Sequence, residues 1–131
     1  YPMFDEKIFF YFEELDYFSR LNKTPDKVLL IPNISFCHSQ GSSVDKKIVK
    51  GVSNLQQWHY LWSMYYVNKK VFNTSHALKI VAPFILKDLI KLILYILSFR
   101  FNLVSKRYFR LSGVINSIIG RKSFKRPNFN V

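Results

Sequence analysis

The sequence predicts an α/β chain, and three observations carry that expectation. Two short β-prone runs, Lys27 to Ile31 and Ile34 to His38, flank the turn Pro32-Asn33. A helical pattern precedes them near residues 11 to 23, and longer helical patterns follow from Leu55 onward. The chain accordingly divides into residues 1–54, an α/β part with short strands, and residues 55–131, a basic region of amphipathic α-helices.

Each element follows from local chemistry. Tyr1 to Phe10 is aromatic and punctuated by Pro2, Asp5 and Glu6, which reads as a turn leading into the first helix. Thr24-Pro25-Asp26 ends that helix, because proline has no N–H to donate and restricts the residue before it. After the second β-prone run, Ser39-Gln40-Gly41-Ser42-Ser43 reads as a loop. Leu55 to Phe72 carries bulky side chains at helical spacing, and Asn73-Thr74-Ser75 reads as a break with a fresh N-cap. A longer helical region is predicted from His76 to Val104, with Pro83 as a candidate kink, and a basic segment follows over residues 105–131.

Composition narrows the class. Of 131 residues 49% are apolar and 18% aromatic, far too many for a solvated tail, so the rings must be covered by a core, a partner or a bilayer surface. A single cysteine, Cys37, excludes an intrachain disulfide and a cysteine-based zinc site and fits a reducing compartment. No charged-then-apolar leader precedes Tyr1-Pro2, and the chain is expected to be a piece of something longer. Charge is unevenly spread: seven acids and four Lys/Arg up to Asp45, net −3, against one acid and sixteen Lys/Arg after it, net +15. The C-terminal region therefore calls for an anionic partner, and nucleic acid, anionic lipid and diphosphate compounds all qualify.

On a helical wheel of the first helix, Glu13, Asp16 and Arg20 form one polar stripe, with Asp16 and Arg20 an i, i+4 pair. That stripe is expected to be solvated or structural. Glu14 falls instead between Leu21 and Phe18, near Tyr17, so its carboxylate leaves the helix among apolar groups and is the candidate base.

Six features in order, Phe4-Asp5-Glu6, Phe9-Phe10, Tyr11-Phe12-Glu13-Glu14-Leu15-Asp16 with Arg20, Val28 to Pro32-Asn33, His38, and Gly41-Ser42-Ser43, resemble the family 2 glycosyltransferases, in particular the rhamnosyltransferase-like branch. The resemblance spans roughly residues 2 to 43. Tyr65-Tyr66-Val67-Asn68-Lys69-Lys70 is similar to a tyrosine pair followed by Arg-Asn in that branch, but both lysines replace its polar residues and no role carries over to them. The resemblance implies the C-terminal part of a GT-A (Rossmann-like) fold and an inverting transfer of a sugar, rhamnose being one candidate, from a nucleotide-sugar to a lipid-linked or cell-surface glycan in a bacterium. Glu14 then takes the acceptor proton, supported by Glu13, Asp16 and Arg20. His38 stands near the donor diphosphate and its divalent cation, Mg²⁺ or Mn²⁺. Gly41, Ser42 and Ser43 are candidates for an acceptor or phosphate loop through their backbone and hydroxyl donors, with a plain connecting loop the favoured reading. No Asp-x-Asp occurs in the chain. The resemblance places the nucleotide-binding half ahead of Tyr1, so the 131-residue chain is expected to be inactive alone.

Residues 84 to 104, laid on one wheel, put Lys87, Asp88, Lys91, Tyr95, Ser98 and Asn102 on a polar arc and leave an apolar arc of roughly 220°, wider than the stripe of a soluble surface helix. Arg100 alone interrupts it. Charges at Lys87, Asp88, Lys91 and Arg100 oppose spanning, so a helix lying on an anionic membrane is expected, with Lys87, Lys91, Arg100, Lys106, Arg107 and Arg110 at the lipid surface. The expected location is peripheral, on the cytoplasmic face of the plasma membrane. Packing against the catalytic domain or a homodimer would cover the same face. A non-enzymatic basic module that binds membrane or nucleic acid is the alternative, although no RNA-binding motif is visible and nucleic acid is not the expected partner.

Overall fold

The computed structural model describes residues 3–25, 27–29, 31–35 and 49–126. Four α-helices order the chain: α1 (Glu13–Leu21), α2 (Val49–Val71), α3 (Thr74–Leu97) and α4 (Phe101–Ile118). The expected α/β C-terminal part of a GT-A (Rossmann-like) fold is therefore corrected to an all-α arrangement, with no strand among the described residues. The expected turn at Pro32-Asn33 is present, but the flanking Val28, Leu29, Ile31 and Ile34 are exposed and irregular. β-branched residues make a strand only where a neighbouring strand takes up their backbone groups.

α1 begins without a side-chain cap, after Tyr11 and Phe12, both left-handed at φ 67°. Acids in its first turn and Arg20 in its last suit the helix dipole. The Thr24 hydroxyl donates to the Leu21 carbonyl at 2.8 Å, closing its end ahead of Pro25. α2 buries Leu55, Trp58, Leu61, Trp62, Met64, Tyr65 and Val67 on several sides, because it contacts all three other helices. The break after Phe72 is where it was expected: Asn73 is extended and its side chain accepts the His76 N–H at 2.9 Å, capping α3. α3 runs through Pro83 but stops at Leu97, so the single helix expected to Val104 is two. Phe99 takes the left-handed conformation, φ 54°, with Phe99 N–H on Ile96 and Arg100 N–H on Tyr95, which ends α3 in the manner usually reserved for glycine.

Side-chain pairs give the directions. Asn54–Ser105, Gln57–Arg110, Trp58–Ser112 and the Ser117 hydroxyl on the Trp62 carbonyl rise together, so α2 and α4 run parallel. α3 returns between them in the chain, with Arg110 over Phe84 and Arg107 over Tyr95. The shared core is Leu61, Met64, Tyr65, Ala77, Val81 and Val114. The boundary expected after residue 54 falls inside α2.

Two positions make the packing testable. A Cβ on Gly113 would lie 2.9 Å from the Trp58 carbonyl carbon and closer still to its oxygen, so α2 and α4 approach there only because residue 113 has no side chain. Gly113→Ala is expected to destabilise the chain by about 3 kcal/mol or more in denaturant titration. His59, fully buried, donates from Nε2 to the Lys125 carbonyl at 2.9 Å and accepts at Nδ1 from Ser123 at 3.1 Å. Burial lowers its pKa from 6.5 to about 4, with Arg126 adding to the effect and the Lys125 carbonyl opposing it. The unfolded chain therefore takes up this proton first. The stabilisation is complete above about pH 6.5 and is lost as pH falls toward 4, at most about 3 kcal/mol, a slope that His59→Gln should flatten in melts taken across that range.

Candidate functional site

The turn at Asp5 and helix α1, within the segment that carries the transferase resemblance, meet at one ammonium on α2. Lys70 Nζ lies 2.6 Å from Asp5 Oδ2 and 2.6 Å from Asp16 Oδ1, joining the Phe4-Asp5-Glu6 turn to the middle of α1. One helical turn earlier on the same face, the Tyr66 hydroxyl donates to Asp5 Oδ2 at 2.9 Å, and the Lys7 N–H donates to Asp5 Oδ1 at 3.0 Å. On the other side of Asp16, Arg20 Nε donates to Oδ2 at 3.0 Å while its Nη2 reaches the Met3 carbonyl.

These contacts shift the titrations together. For Asp5, burial opposes ionisation, but the hydrogen bonds from Lys70, Lys7 and Tyr66 outweigh it and hold the carboxyl below its ordinary value. For Lys70, burial pulls downward, and the bonds to Asp16 and Asp5 prevail and raise it. Burial, then the bond to Asp5 and the two carboxylate charges, push the Tyr66 phenol up. The site thus keeps Asp5 and Lys70 charged and Tyr66 a fixed donor.

The first helix turns a different face inward than its wheel suggested. Asp16 is 0% exposed, and Leu21 is buried beside it, whereas Glu14 is exposed and its neighbours Leu15 and Phe18 are each 45% exposed. The polar stripe is the docking face because Lys70 supplies a counter-charge within reach of Asp16. Glu13 is half-buried, and its Oε2 is buried without a hydrogen-bond partner. Burial, followed by the Glu13 charge and Tyr60, raises the Tyr11 phenol. The aromatic pair is anchored too: the Ser63 hydroxyl donates to the Phe10 carbonyl at 2.7 Å, both rings approach His59, and Arg126 lies 4.1 Å over Phe9. His38, Gly41, Ser42 and Ser43 lie outside the described residues. Among the described residues no group of three His, Cys, Asp or Glu could hold a metal ion.

A second surface forms on α3. Asp88 is buried, with Oδ1 2.8 Å from Arg107 Nη1 and Oδ2 2.5 Å from Arg110 Nε, and Arg110 Nη1 also donates to Gln57 at 2.9 Å. The polar arc of α3 therefore faces α4, and its apolar arc faces outward. Arg107 and Arg110, expected at a lipid surface, are turned inward onto Asp88, while Lys87, Arg100 and Lys106 are exposed and Lys91 is half-buried. The outward face carries Leu86, Ile90, Ile93 and Leu94, and it ends in a tip where Leu97, Phe99 and Phe101 are 71%, 80% and 62% exposed. Among the described residues no helix is long and apolar enough to cross a membrane.

Sequence reasoning missed Lys70 and Tyr66, whose signal was their spacing: four residues apart on a helix, a phenol and an ammonium share one face. Comparison of the chain with protein-family models, with curated proteins and with solved structures found no match.

Proposed function

We propose that this chain is the acceptor-side, membrane-facing part of an inverting sugar transferase, with Glu14 taking the proton of the acceptor hydroxyl. The observation that carries the reading is the arrangement around α1. Lys70 engages Asp5 and Asp16 in structural ion pairs, which leaves Glu14 as the exposed carboxylate of α1. A general base needs to reach its substrate, and an exposed carboxylate on a docked helix has that access. Met3, Phe4, Leu15 and Phe18 in the same segment are exposed apolar groups, a surface suited to the donor-binding part of a longer parent. The nucleotide-sugar and its divalent cation, Mg²⁺ or Mn²⁺, belong to that part in this reading, with His38 near them.

The outward apolar face of α3, rimmed by Lys87, Lys91, Arg100 and Lys106, supports the membrane side of the proposal. An apolar surface with a basic rim suits an anionic bilayer at the cytoplasmic face of a plasma membrane.

In the full-length parent, Glu14→Gln is expected to lower sugar transfer to membrane-extracted acceptor by roughly 10²–10⁴-fold with donor affinity unchanged. Transfer within threefold of the unaltered protein would remove Glu14 from the role. For the surface, the 131-residue chain should float with vesicles rich in phosphatidylglycerol and much less with phosphatidylcholine alone, in preference to binding a labelled oligonucleotide. Phe99→Gly should lower the bound fraction about tenfold, the worth of burying one aromatic ring. The same substitution should raise stability in solution by about 1 kcal/mol, since glycine relieves the left-handed residue.

A further inference from the structure

A cavity of about 490 Å³ lies between the last turns of α2 and the end of α4, closed at one side by the segment that carries Lys7. Five cationic residues line it, Lys7, Lys69, Lys70, Arg121 and Lys122, and no carboxylate does. Lys70 is neutralised by Asp5 and Asp16 behind the wall. The other four have no ion pair among the described residues. Two helix C-termini meet here, each worth roughly half a negative charge, so they offset about one of the four free cations and leave the cavity strongly positive. The α4 terminus is shaped for this. Gly120, at φ 78°, ends the helix with its N–H on Ser117 and the Arg121 N–H on Asn116, which delivers the Arg121 and Lys122 side chains to the opening.

We infer that this cavity is a binding site for a diphosphate group carried on an organic ligand. Its volume falls within the range of small-ligand sites. Four free cations from three segments, three of them lysines, match an anion of several charges better than a single phosphate. Trp62 and Tyr65 form the floor but are each only 2% exposed, so they present no ring face on which the bases of a nucleic-acid strand could stack. Tyr66, whose hydroxyl is spent on Asp5, contributes the half-buried apolar edge against which the group attached to the diphosphate rests. The inference does not depend on the sugar-transfer reading.

Calorimetric titration of the 131-residue chain with inorganic pyrophosphate in 150 mM salt tests it. One-to-one binding is expected, at least tenfold tighter than inorganic phosphate. The double variant Lys69→Gln/Lys122→Gln should weaken it at least tenfold, whereas Lys23→Gln/Lys79→Gln, an equal loss of charge outside the cavity, should leave it within twofold. All four lysines are exposed and without an ion pair among the described residues, and circular-dichroism melts of each variant serve as the check on folding. Two further arms separate the sources of the group: farnesyl diphosphate in phosphatidylcholine vesicles, and uridine diphosphate in solution. Tighter binding of either than of pyrophosphate supports the site and names the carrier as lipid or nucleotide. Absence of pyrophosphate binding at millimolar concentration, equal weakening by both double variants, or displacement of pyrophosphate by an oligonucleotide at lower concentration would overturn the inference.

Discussion

The buried carboxylate of Asp88 sets how the whole helical region faces its surroundings. Two arginines from α4 close on it, one of them also bound to Gln57 on α2, so a single acid ties three helices. Such a buried pairing adds little net stability over an apolar substitute, yet losing one member costs about 3–5 kcal/mol because the remaining charge is stranded. Its effect is on orientation. With Asp88 inward, the leucines and isoleucines on the opposite side of α3 are left exposed among the described residues. An amphipathic helix packed with its polar side inward has a surplus of apolar area at the surface, and in the proposed reading that area, rather than a spanning segment, is what meets lipid.

The helices were legible because bulky residues recur at helical spacing over long stretches, and Asn73 announced its own cap. Among the described residues the expected strands are absent. Val28 to Ile31 and Ile34 carry the right residue types, but strand formation depends on a neighbour that a single segment does not specify. The end of α3 was hidden for the opposite reason: hydrophobic spacing runs unbroken through Ser98 to Arg100, and the left-handed turn uses Phe99 where glycine would have marked it.

The acidic helix shows the limit of a helical wheel. The wheel correctly put Asp16 and Arg20 on one stripe, but it cannot say which stripe meets the rest of the protein, and that was decided by Lys70, more than fifty residues away in the chain. Arg107 and Arg110 were read as surface cations for the same reason, since they sit within a basic run. The one hint was arithmetic. Asp88 is the sole acid after Asp45 among sixteen cations, and a lone carboxylate in such company has partners ready on every side.

The double bridge at Lys70 also bears on how the sequence can drift. Replacing Asp5 or Asp16 alone leaves the ammonium short of one counter-charge, and replacing Lys70 alone leaves Asp5 without an ion pair and the buried Asp16 with Arg20 alone. Tolerated change at these three positions must therefore come as a coordinated set, with Tyr66 following Asp5. Glu14, bound to none of them, is free of that constraint, so if its identity is held fixed among descendants of this chain, chemistry and not folding will be what holds it.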